Sequence, residues 1–103
     1  MIEIVFCTTP DAETAESLAR ELVERRLAAC VSVIPGLRSF YRWEGEVQAD
    51  DEVLLKMKTT SARRDALIEW LGEHHPYEVP EILAVPVAAG LPSYSRFVED
   101  ETE

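Results

Sequence analysis

One ordering constrains this chain more than any other feature: short β-branched runs alternate with two long stretches of helical periodicity. Residues 2–8, IEIVFCT, have the pattern of a buried strand. TTPDAETAESLARELVERRLAA follows, with Ala15, Leu18, Ala19, Leu22 and Val23 on one apolar stripe. Thr9 is the expected cap, Pro10 suits the first helical position, and Asp11 and Glu13 favour the positive end of the helix dipole. CVSVIPG starts a second strand, bent or interrupted at Pro35-Gly36, and LRSFYRWEG continues it as extended chain. Val47 to Asp51 reads as a turn. EVLLKMKT alternates as a third strand, with Val53, Leu55 and Met57 on one face and Lys56 and Lys58 on the other.

Thr60 or Ser61 then caps a second helix, ARRDALIEWLGEH, with Ala66, Leu67, Trp70 and Leu71 facing inward. EILAVPV is a fourth strand. LPSYSRFVED places Leu91, Tyr94, Phe97 and Val98 at short-helix spacing, ahead of an acidic tail expected to fray. The order βαββαβ plus a terminal helix predicts an α+β, ferredoxin-like sandwich with two helices on one face of an antiparallel sheet. The other face must be covered or wet. Phe40, Tyr41 and Trp43 add more aromatic surface than a monomer readily exposes, so self-association through that region is expected.

At 103 residues the chain is a single domain, 1–103, long enough for a core without staples. Met1-Ile2-Glu3-Ile4 lacks a basic leader, and no apolar run reaches the ~20 residues of a membrane span. The expectation is a cytoplasmic protein with no membrane insertion. A net charge of −10 disfavours phosphate backbones, so no nucleic-acid partner is expected. No phosphate loop, nucleophile elbow or catalytic cysteine signature occurs, and no enzyme is expected.

The densest chemistry lies in HHPYEVPE, residues 74–81. In this topology the fourth strand lies antiparallel beside the first, which brings the loop close to Cys7. Cys7, His74, His75 and Glu81 are therefore candidate metal ligands, and soft thiolate with imidazole suits copper or zinc. The same residues have structural uses: a buried thiol, a helix-terminating histidine, a histidine extended before proline, and a solvated acid. Spacing leaves both readings open. Cys30 starts the second strand, too far from Cys7 for a disulfide, so two free thiols are expected. Tyr41, Trp43, Lys58 and Tyr77 are candidate cleft residues.

VFCTTPD, LAACVSVIPG, SFYRWEGEV, EVLLKMKT and HHPYEVPEI, in that order, resemble the CutA divalent-cation tolerance proteins over nearly the full chain. The resemblance implies a homotrimer related in architecture to PII signalling proteins, built by sheet pairing between subunits. It implies tolerance to copper and other divalent cations, with copper ligands at Cys7, His74 and His75 and Glu81 in the site region. The alternatives are a PII-like sensor of a small molecule and a structural assembly module.

Overall fold

A computed structural model describes residues 1–103. The elements follow the expected order: β1 (Ile2–Thr9), α1 (Ala12–Glu24), β2 (Cys30–Trp43), β3 (Glu46–Thr60), α2 (Ser61–His74), β4 (Ile82–Pro86) and α3 (Pro92–Glu101). The sheet runs β2-β3-β1-β4 with every neighbouring pair antiparallel. This is the ferredoxin-like sandwich with an added C-terminal helix.

Strand alternation sorts the core. Val5, Cys7, Val53, Leu55 and Met57 point to the face covered by α1 and α2 and are buried. Leu18 and Leu22 of α1 and Leu67 and Leu71 of α2 close on them. Val23 lies outside this cluster and is largely exposed, and Ala66 is exposed as well. Each sits on the flank of its helix, beyond the arc that the sheet can reach.

The start of α1 differs from expectation, whereas α2 begins after Thr60 as the sequence placed it. Asp11, with extended backbone, is the N-cap of α1, and its Oδ1 accepts from Thr14 N at 2.7 Å. Thr9 instead donates to Val53 O at 3.0 Å, because its side chain is buried between strands. Thr60 holds the N-cap position of α2 without a side-chain bond. Ser61 Oγ is bonded to Glu3 Oε2 at 2.7 Å, and Arg64 pairs with the same oxygen at 2.6 Å. Glu3 thus ties the start of β1 to the first turn of α2, where the dipole favours a carboxylate.

The largest correction concerns the central hairpin. Residues 47–51 are strand, and the turn is Glu44-Gly45, with φ of 50° and 83°. Positive φ at both positions is the two-residue hairpin turn whose twist matches its strands, and Trp43 faces Glu46 across it. A one-residue bulge between Ile34 and Leu37, at Gly36 with φ of 91°, bends β2 where the helix layer ends. Beyond it, residues 38–51 project as an arm and stretch the molecule to 45 × 26 × 23 Å.

On the second face of the sheet, α3 packs against β1 and β3, and Tyr94 reaches Cys30. Its end is ordered rather than frayed: Val98 and Thr102 are buried, and Thr102 Oγ1 donates to Val98 O at 2.8 Å. The helix leaves Ile34, Leu83 and Val85 largely exposed.

Candidate functional site

The bend in β2 and the loop after α2 meet over the end of β1. Between them lies a cleft of about 670 Å³. The arm supplies Ser39, Phe40, Tyr41 and Trp43, with Glu52 at its base; the loop supplies Pro76, Tyr77, Glu78, Val79 and Glu81; Thr8 is the lining residue from β1. The loop is latched at two points. His75, itself buried, bonds through Nε2 to Thr8 O at 2.8 Å. Tyr77 donates its hydroxyl to Glu52 Oε2 at 2.8 Å.

The ring of His75 has a definite proton arrangement. Tyr77 N–H donates to Nδ1 at 3.1 Å, so Nδ1 carries the lone pair and Nε2–H donates to the Thr8 carbonyl. Both nitrogens are engaged. His74 turns the other way: Nδ1–H donates to Trp70 O at 2.8 Å and the ring stacks on Trp70 with centroids 4.3 Å apart. Arg25 lies over the same indole, 5.4 Å from its centroid. The adjacent histidines therefore diverge, one into the loop's anchorage and one onto an exposed helix flank.

Cys7 pairs with Ile82 in the β1–β4 register, next to Glu81, as the topology predicts. Its thiol is fully buried. Burial pushes its pKa up to about 12, with Glu81 and then Glu52 adding repulsion. A protonated, enclosed thiol is a core group rather than a ready ligand. Glu81 is exposed. The structure thus brings Cys7, His75 and Glu81 into one neighbourhood, but no three His, Cys, Asp or Glu side chains converge to hold a metal ion. The donors do not fit a preformed copper centre.

Of the cleft candidates, Tyr41, Trp43 and Tyr77 line the cavity and Lys58 does not. Lys58 opposes Ile4 and Cys30, well down the sheet, and its Nζ donates to Ser32 Oγ at 2.9 Å. Tyr41 donates its hydroxyl to Asp50, and that bond with the nearby acids raises its pKa. Tyr77 is raised by burial first and by Glu52 second. Glu52 is the cleft residue that the sequence does not single out. It opens the expected strand EVLLKMKT, directly before buried Val53, and its carboxylate meets the loop through Tyr77; nothing in the strand pattern marks that contact.

Cys7 and Cys30 are both unpaired. Two strand spacings and three residues of offset separate them, roughly 14 Å by sheet geometry. No helix is long and apolar enough to cross a membrane.

A family profile described as CutA1 divalent ion tolerance protein matches residues 3–101. The chain is 48% identical over 102 residues to the divalent-cation tolerance protein CutA of Thermus thermophilus, covering 99% of both. It is 44% identical over 102 residues to mouse protein CutA, spanning 99% of this chain and 58% of that protein. Its fold superposes on the Thermus thermophilus CutA1 structure with a TM-score of 0.96 and full coverage of both chains. CutA of Xylella fastidiosa gives 0.97 at 41% identity, covering 99% and 98% of the two chains.

Proposed function

Because the chain belongs to the CutA1 divalent ion tolerance family, whose role is divalent-cation tolerance, we propose that it works there as a non-enzymatic cytoplasmic trimer that meets its cation at the cleft between arm and loop. The observation that carries this is the latch at the end of β1: His75 on Thr8 O and Tyr77 on Glu52 hold the loop so that Glu52, Glu78 and Glu81 line one cavity, with Cys7 buried close enough to Glu81 and Glu52 to feel their charge. Assembly into a trimer is supported by the arm: β2 has an unpaired outer edge, and Phe40 and Val47 are the most exposed large apolar side chains of the hairpin. Two unpaired thiols fit a reducing compartment.

Copper at Cys7, His75 and Glu81 is the strict form of the proposal. It requires the thiol to lose its proton and His75 to release one of its two hydrogen bonds, so uptake is expected to be pH-dependent and to reorder the loop. Native mass spectrometry with stoichiometric Cu(II) tests it. Uptake by the trimer that is lost in Cys7→Ser and Glu81→Gln, yet kept in His74→Ala, is the expected pattern. Equal uptake by all variants would remove copper from these residues.

A second reading, PII-like sensing of a small molecule, is favoured by the cavity itself, since about 670 Å³ is the range of small-molecule sites. Its lining carries Glu52, Glu78 and Glu81 and no basic residue. Nucleotides and organic acids therefore have the wrong sign for it.

A further inference from the structure

The cleft's walls are of two chemical kinds, aromatic rings and carboxylates. Tyr41, Trp43 and Glu52 line its hairpin side and Tyr77, Glu78 and Glu81 its loop side, with no lysine, arginine or histidine among the lining residues. Glu52 is the informative member. It is 8% exposed and takes part in no ion pair, and its only hydrogen bond is the neutral Tyr77 hydroxyl on Oε2. Its other oxygen has no donor in the protein and is not sealed off from solvent. A carboxylate this enclosed ordinarily has a cationic partner. Here the open side of the group is the cleft.

A bare metal ion is a poor match. No three potential ligands converge, and the space is many times the ~30 Å³ share of one water. Aromatic rings offer no ligands to a hard cation, which takes oxygen. They do suit an alkyl cation, whose methylenes pack on the rings while its charge meets the negative ring face. The arm already holds one cation this way: Arg38 Cζ lies 5.9 Å from the Phe40 centroid while its Nη1 pairs with Asp51 at 3.0 Å. From these features we infer that the cleft binds an organic ammonium ion of the aliphatic amine class. One ammonium meets Glu52, the methylene chain lies along Trp43 and Tyr41, and Glu78 and Glu81 receive further amino groups. The inference rests on the cleft being the cation site and names the chemistry of its occupant.

Isothermal titration of the full chain in its native assembly with spermidine, Cu(II) and glutamate tests it. Spermidine is expected to bind saturably and glutamate not at all. Glu52→Gln keeps an acceptor for Tyr77, and with Trp43→Ala it is expected to weaken spermidine about tenfold or more, with assembly checked by native mass spectrometry. Spermidine binding that persists unchanged in both folded variants would assign it to the general acidic surface and overturn the inference. Cu(II) binding sensitive to Glu81→Gln, with no amine binding, would overturn the inference and leave the cation-tolerance cleft standing. Binding of neither would bring down both.

Discussion

Tyr77 donates its hydroxyl to Glu52 at 2.8 Å, and this bond joins the loop after α2 to the base of the projecting arm. It sits at the boundary between the helix-covered sheet and the uncovered hairpin. Tyr77→Phe removes the donor and leaves a largely buried carboxylate without a partner, at a cost of about 1–3 kcal/mol. Urea unfolding at fixed protein concentration should show the loss. Hydrogen exchange should locate it, with faster exchange in residues 75–81 and little change in α1. Uniform acceleration across the chain would contradict a local latch.

The two histidines should separate cleanly by mutation. His75→Ala deletes bonds to Thr8 O and Tyr77 N, both enclosed, and is expected to cost about 2–3 kcal/mol. His74→Ala loses one exposed bond and a stack on Trp70, so about 1 kcal/mol or less is expected. Equal losses in urea midpoints would mean that the rings share one environment, contrary to their divergence.

The β-strand and helix order was legible because two helical periods separate short β-branched runs, and few topologies accommodate that order. The same logic placed Cys7 beside the start of β4, and register confirms it at Ile82. What stayed hidden were choices made by single side chains. Thr9 had the composition of a cap but was drawn into the sheet by Val53, which left the cap to Asp11. Neighbouring histidines carry no sequence signal for opposite rotamers. The arm was misread because Glu44 holds a positive φ that the pattern Asn-Gly or Asp-Gly would have announced.

That turn offers a stabilising substitution. Glu44 sits at φ 50° in the first central position, where a non-glycine L-residue is strained unless its side chain is short and polar. Glu44→Asn is expected to stabilise the hairpin by roughly 0.5 kcal/mol, whereas Gly45→Val at φ 83° should cost about 1–2 kcal/mol. Thermal midpoints of the two variants should move in opposite directions.

Alkaline pH should weaken the fold. Cys7 is held at about 12 against an ordinary value of 9.0, by burial and then by Glu81 and Glu52. Between those values the unfolded chain has released the thiol proton and the folded chain has kept it. The native state then binds more protons, so stability falls as pH rises through this window, and below pH 9 this group contributes no slope. Tyr77, also raised from its ordinary 10.0, acts in the same direction. Urea midpoints should therefore drop from about pH 9 upward, and Cys7→Ala should flatten part of the decline. The same burial makes Cys7 slow toward a thiol reagent near neutral pH, whereas the partly exposed Cys30 should react first. A midpoint that stays flat to pH 11, or a Cys7 that reacts as fast as Cys30, would mean that the thiol opens to solvent in the native state.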